Sequence, residues 1–282
     1  MMRFRHLAYF LFISIISFGC QQNAVIPRVS LEEEQLLLGN PSGATADAGN
    51  ENNYLLTKPQ YALSYSRDRG TPNWVSWHVS KDWLGNAPRQ DNFRSDAMLP
   101  QGWYRVTASS YTGSGFDRGH NAPSADRTKS VEDNTATFLM TNMIPQAPKN
   151  NQETWANLED YTRSLVQQGQ EVYVIMGSYG VGGTGSEGTT KKLDNGHVTV
   201  PSRIWKVLVV LPEGENDISR ITTHTRIIAV NTPNTNSIRP DWTSYRTTVD
   251  AIEQATGYDL LSAVPQQIQE VLESTVDTVP VK

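Results

Sequence analysis

Cysteine is nearly missing from this chain: one residue among 282, Cys20, so no disulfide can form within it and its stability has to come from packing. Positive charge is also short. With 24 Lys and Arg against 29 Asp and Glu the formal net charge is −5, which argues against a surface that holds polyanions by overall charge, because that affinity comes from Lys and Arg neutralising phosphates. Any such binding must be local, and Arg89, Arg94, Arg118, Arg127, Lys129 and Arg163 do concentrate around one stretch of sequence. After residue 55 no Pro-, Gly- or Ser-rich linker interrupts the chain, and it has no repeat, heptad or long low-complexity segment. One domain over 56–275 is therefore expected, preceded by a tether and short helix over 21–55 and followed by a tail at 276–282.

The long apolar run is confined to Leu7–Phe18, which follows the basic start Met1-Met2-Arg3-Phe4-Arg5-His6. It is too short to span a bilayer and has the order of an export signal over residues 1–20. Cys20 stands where a bacterial lipoprotein would be cleaved and acylated, with Gln21 after it. Ser17 and Gly19 equally suit ordinary signal-peptidase cleavage, so a lipid anchor at Cys20 and a plain secreted or periplasmic form both stand as expectations.

What the chain does contain is chemistry concentrated between Phe116 and Arg163. Asp117-Arg118-Gly119-His120 opens that stretch and Asn151-Gln152-Glu153-Thr154-Trp155-Ala156-Asn157-Leu158-Glu159-Asp160-Tyr161-Thr162-Arg163 closes it. A histidine can deprotonate water near neutral pH, its ordinary pKa being about 6.5. An asparagine offers a hard amide oxygen of the kind Mg²⁺ accepts alongside its waters, and arginines fork onto phosphate oxygens. Between the two halves, Asn134–Pro145 is an apolar, β-prone run bounded by proline. The order is a histidine at a strand end, a second strand, then a helix beginning at the asparagine.

That order resembles the ββα-metal nucleases, and D-R-G-H followed by N-Q-x-x-W-x-x-L-E-x-x-x-R resembles the sugar-non-specific DNA/RNA endonuclease family. Leu38-Gly39-Asn40-Pro41-Ser42-Gly43, Arg89-Gln90-Asp91-Asn92-Phe93-Arg94 and Thr256-Gly257-Tyr258-Asp259 extend the likeness, toward its secreted cyanobacterial members, over nearly the whole chain after the leader. The resemblance implies a Mg²⁺-dependent endonuclease, with Mn²⁺ able to substitute, that cuts DNA and RNA, single- or double-stranded, to 5′-phosphate ends. It implies His120 as general base, Asn151 as metal ligand, Glu159 orienting water near the metal, and Arg118, Arg89 and Arg163 on the phosphate. Some relatives have proteinaceous inhibitors.

Several of these residues have plainer explanations. Asn150 with Glu153 has capping-box spacing, and Glu159 could be a solvated helix residue paired with Arg163 at i+4. Asp117 is expected to anchor the local turn, and Arg94 to lie at the surface. Trp155, Leu158, Thr162 and Leu165 form a core-facing stripe. His78, His197 and His224 lie in strand-like stretches without an acidic partner at ligand spacing and are expected to be structural. Gly183-Thr184-Gly185-Ser186-Glu187-Gly188 matches a dinucleotide-loop pattern, but no helical period follows it, so it is expected to be a flexible loop.

Elsewhere Ser30 and Glu33 have capping-box spacing. Tyr61–Ser66 and Asn73–Val79 flank a turn at Asp68-Arg69-Gly70, and Trp103–Ala108 is a further candidate strand. Glu171–Met176 and Ile221–Val230 are expected strands, and His197–Val200 and Ile204–Leu211 an expected pair. Thr248–Gln254, stopped by Gly257, and Gln267–Ser274 are expected helices. The fold class is α+β: a single mixed domain with a central antiparallel sheet and a ββα-metal motif. Two other functions stay open: a metal-dependent phosphodiesterase on small esters, and a catalytically silent nucleic-acid-binding surface lipoprotein.

Overall fold

A computed structural model describes residues 30–281; the leader and Cys20, which carry the export and lipid-anchor expectations, lie outside them. The strands are β1 (Tyr54–Lys58), β2 (Tyr61–Ser66), β3 (Thr71–Val79), β4 (Asp117–His120), β5 (Met143–Gln146), β6 (Gln170–Tyr179), β7 (Gly183–Gly185), β8 (Gly188–Thr190), β9 (Lys192–Leu193), β10 (Val198–Thr199), β11 (Arg203–Pro212), β12 (Arg226–Pro233) and β13 (Arg246–Thr247). The helices are α1 (Leu31–Glu34), α2 (Val131–Ala136), α3 (Ala156–Gln167), α4 (Asp217–Arg220), α5 (Val249–Thr256) and α6 (Gln266–Glu273). A central sheet runs in the order β1-β2-β3-β6-β11-β12-β13, antiparallel throughout. The fold is α+β, as the sequence leads one to expect.

Both faces of this sheet are covered, which is why β11 reads as a near-continuous apolar run rather than an alternating one. Ile204, Leu208 and Val210 pack on one side with Trp77, Trp155, Leu158 and Val166, the last three from the segment leading into and along α3. Trp205, Val207, Val209 and Leu211 pack on the other with Trp74, Val249 and Ile252 of α5 and Leu272 of α6. Leu38 and Ala44 are buried in that second core, so the packed body begins upstream of residue 56. Each large side chain removed from water this way contributes about 1.5–3 kcal/mol. A third, smaller core of Val106, Tyr111, Phe116, Met140 and Met143 lies under the ribbon formed by β4 and β5.

Caps follow sequence closely. Ser30 and Glu33 make the reciprocal capping box of α1. Thr248 accepts from Ala251 N–H at the start of α5, and Gly257, at φ +76°, ends it. The β2–β3 hairpin turns at Arg67–Gly70, as expected.

Four expectations need correcting. Residues 134–145 are not one strand: Ser130 accepts from Asp133 N–H and starts α2, so only Met143–Gln146 is extended. Trp103–Ala108 contributes no strand and leads instead into a 3₁₀ turn at Ala108–Tyr111. Val198–Thr199 pairs with Lys192–Leu193 rather than with β11, whose two edges are already taken by β6 and β12. Thr222–Thr225, including His224, forms a turn before β12, because Thr222 N–H bonds the Thr225 hydroxyl.

Candidate active site

β4 and β5 pair in register with Asp117 opposite Gln146 and His120 opposite Met143. Gly119 is required here, since a Cβ would fall 2.2 Å from Gln146 Oε1. The chain then enters α3 through a π-helical turn, Asn150–Trp155, where the expectation was a regular helix start. Such turns widen one loop of helix and re-aim its side chains. Asn150 does not cap the helix. Its buried amide accepts from Gln146 Nε2 at 2.7 Å and donates to Thr232 Oγ1 at 3.0 Å and Pro233 O at 2.9 Å, pinning the turn to β5 and β12. Its neighbour Asn151 is thereby left facing a cavity.

The cavity, about 330 Å³, is lined among others by Arg89, Phe93, Asp117, Arg118, Asn151 and Gln152. Asn151 Nδ2 and Gln152 Nε2 both donate to Asp117 Oδ2 at 2.8 Å. With its NH₂ end tied down, Asn151 turns its carbonyl oxygen away from Asp117, and no protein donor among the described residues bonds that oxygen. Asp117 therefore orients a side chain of the site rather than merely anchoring a turn.

His120 sits between two phenylalanines, 4.9 Å from Phe138 edge-on and 5.6 Å from Phe93. The Arg118 guanidinium lies 4.2 Å over Phe93 and that of Arg89 lies 5.0 Å over Phe138, so one aromatic clamp positions the histidine and both arginines. Burial, with Arg89 and Arg118 adding to it, lowers the His120 pKa to about 3. The imidazole is thus neutral at ordinary pH. Its Nε2 is buried and, among the described residues, has no hydrogen-bond partner. Arg118 has no carboxylate partner among the described residues, whereas Arg89 is held by Asp91 at 2.7 Å and Ser124 at 2.8 Å.

Glu159 and Arg163 lie in an ion network of their own and are not among the residues that line the cavity. The i+4 pairing does not form: Arg163 bonds Asp126 at 2.8 Å and Asp160 at 2.5 Å, while Glu159 faces Lys206 Nζ at 3.4 Å. Burial raises the Glu159 pKa, opposed by Lys206. Lys206 is 2 % exposed and stacks on Trp77 and Trp155, with Nζ 5.5 and 4.9 Å from their rings. Trp155, Leu158, Thr162 and Leu165 are buried as the stripe requires. Of the basic residues around the motif, Arg127 is not available to a ligand: it is fully buried over Trp83 and bonds the carbonyl of Gln60.

The aromatic clamp and the hold of Asp117 on the Asn151 and Gln152 amides are not evident in the sequence. Lys206, a cation inside the apolar run of β11, is the signal in the sequence that points to the Glu159 network. His78, by contrast, does meet acidic partners, Glu34 and Glu171, brought from distant segments. The Gly183–Gly188 stretch is a small hairpin, β7 with β8, whose Ser186 N–H bonds Gly115 O at 2.9 Å, rather than a flexible loop.

Comparison with known proteins places this geometry. The profile of the DNA/RNA non-specific endonuclease family matches residues 39–267. A nuclease of Nostoc is 54 % identical over 264 residues, covering 92 % of this chain and 93 % of that protein. Human mitochondrial endonuclease G is 36 % identical over 167 residues, 57 % of this chain and 56 % of its own length. Among solved structures, that of an EndoG/EndoGI complex superposes with a TM-score of 0.69 at 22 % identity, covering 86 % of this chain and 96 % of that one. The chain thus belongs to the DNA/RNA non-specific endonucleases, and is a nuclease that hydrolyses phosphodiesters.

Proposed function

We propose that the chain is an exported, Mg²⁺-dependent member of this family that cuts DNA and RNA without sequence or sugar preference and leaves 5′-phosphate ends. One observation carries the mechanism: Arg118, with no carboxylate partner among the described residues, and the oriented Asn151 line one cavity, and the neutral His120 sits behind Phe93 of that lining. His120 Nδ1 accepts a proton from the attacking water. Arg118, free of carboxylates among the described residues, holds the scissile phosphate, and Arg89 supports the charge that grows on it. Contacts limited to phosphate and sugar would account for the lack of sequence preference.

The residues present suit a hard divalent cation. Asn151 Oδ1 is a neutral oxygen without a protein donor among the described residues, in a cavity with room for coordinated water, and Asp117 holds it in that orientation. Bound there, the cation would neutralise charge on the phosphate and on the departing 3′ oxygen. Mn²⁺ is expected to substitute. Glu159 acts at one remove, as an anion held near the site by Lys206, and Arg163 steadies the same network through Asp126.

Export rests on the basic-then-apolar start of the chain, and either a secreted, a periplasmic or an outer-membrane lipoprotein form with lipid on Cys20 is consistent with it. The EndoG structure was determined with an inhibitor, and a proteinaceous inhibitor is a reasonable partner to seek for this chain. The test is cleavage of supercoiled plasmid and ribosomal RNA, with and without EDTA, by wild type, His120→Ala and Asn151→Ala. Both polymers should be degraded, and EDTA or either substitution should abolish it, His120→Ala costing about 10²–10⁴ in rate. Asn151→Ala retaining full Mg²⁺-dependent cleavage would sink the metal assignment. Hydrolysis of a small chromogenic diester alone would favour the small-ester enzyme.

A further inference from the structure

On the sheet face opposite α3, three carboxylates converge with no cation to balance them. Asp250 lies in the first turn of α5, Glu253 one turn later, and Glu273 is the last residue of α6. One oxygen from each lies within 4.8 Å of the others, which is about twice the ~2.4 Å bond from Ca²⁺ to an oxygen ligand. None of the three joins an ion pair with Lys, Arg or His among the described residues, and Asp259 adds a further negative charge nearby.

Glu273 is the informative member. It is 7 % exposed, and its Oε1 is sealed from solvent with no hydrogen-bond partner. It also ends a helix whose last turn has no basic residue, so the negative end of the helix dipole works against its charge. Burial and the carboxylates of Glu253, Asp259 and Asp250 raise its pKa to about 7. Glu253 is already positioned, its Oε1 accepting from Leu260 N–H at 2.7 Å. Asp250 is exposed, which leaves the cluster open to solvent on one side. A buried carboxylate aimed at two others is relieved either by taking up a proton or by a cation that joins it.

We propose that Asp250, Glu253 and Glu273 bind a hard divalent cation, Ca²⁺, that ties α6 to α5. Oxygen-only ligands exclude the softer metals as preferred occupants, and the irregular spread of three carboxylates with an open side suits the flexible, high coordination of Ca²⁺ better than the strict octahedron of Mg²⁺. The site is independent of the nuclease centre. Glu273 lies beyond residues 39–267, the range matched by the family profile.

The test is equilibrium dialysis against ⁴⁵Ca²⁺ with the full chain carrying Asn151→Ala, which removes the proposed active-site ligand, together with melting curves in CaCl₂ and in MgCl₂. One Ca²⁺ per chain should bind at about 10⁻⁴–10⁻³ M. Tm should rise by about 3 °C at tenfold excess over Kd, with less effect from MgCl₂. Asp250→Asn and Glu273→Gln should each weaken binding at least about tenfold, and both should leave Mg²⁺-dependent plasmid cleavage unchanged when made in the wild-type background. If Glu273→Gln fails to fold, Asp250→Asn, at an exposed position, decides alone. No stoichiometric binding up to 10 mM CaCl₂, roughly ten times the weakest expected Kd, would overturn the proposal, as would binding that Asp250→Asn leaves intact.

Discussion

Removing the Asp117 carboxylate should weaken the nuclease's hold on its metal without removing its base. In Asp117→Ala, Asn151 Nδ2 loses the 2.8 Å bond that fixes which end of its amide faces the cavity. That length falls in the charge-assisted range of about 2.7–2.9 Å, and a hydrogen bond to a charged group contributes about 1.5–3 kcal/mol. Spread over metal binding, this corresponds to a roughly 10- to 100-fold loss of affinity, the size found when a partner that orients a metal ligand is removed. Plasmid nicking followed against free Mg²⁺ reads it directly. Half-saturation should rise about 10- to 100-fold while the rate at saturating Mg²⁺ stays within a few-fold. Asp117→Asn, whose side-chain oxygen can still accept from Asn151, should fall between. An unchanged Mg²⁺ dependence in Asp117→Ala would refute the orienting role, and so would a rate at saturation as low as that of Asn151→Ala.

The remaining predictions concern stability and the support of the site. His120 is held neutral in the fold with a pKa of about 3 but gains a proton near 6.5 when unfolded, so the unfolded state binds more protons between those values and stability falls as pH drops through that window. At pH 5 this one group should cost about 2 kcal/mol; urea melts at pH 7 and pH 5 should show a smaller acid loss in His120→Phe, and an identical loss would count against a neutral buried imidazole. Lys206→Met leaves Glu159 without its buried partner and should destabilise by about 3 kcal/mol, the low end for a broken buried pair because Arg163 remains close; a denaturant melt within error of wild type would contradict it. Gly119→Ala forces Gln146 to move, and with it the bond that pins Asn150. It should cost about 1–3 kcal/mol and impair cleavage, whereas full activity at wild-type Tm would show that the close approach is not needed.

The sequence by itself determined the elements whose cause is local and the identity of the chemistry. The capping residues Ser30, Thr248 and Gly257, the β2–β3 turn and the apolar stripe of α3 were legible because each depends on neighbours a few residues away. The order Asp117-Arg118-Gly119-His120, then Asn151, was legible for a different reason: its residues and spacing resemble the motif of the DNA/RNA non-specific endonucleases. Tertiary structure decided what depends on long-range partners. Val198–Thr199 was read as pairing with β11, but both edges of β11 were already filled by segments far along the chain. Residues 134–142 looked extended, yet Ser130 starts a helix there and Asn134 ties it to Ser124 O, ten residues back. Glu159 and Arg163 have i+4 spacing, and each found a stronger partner on another element, Lys206 and Asp126. The aromatic clamp joins Phe93, His120 and Phe138 from three separate segments, and burial there, with Arg89 and Arg118 beside it, lowers the His120 pKa. Burial and electrostatic surroundings are sums over everything that packs nearby, so only the folded chain fixes them.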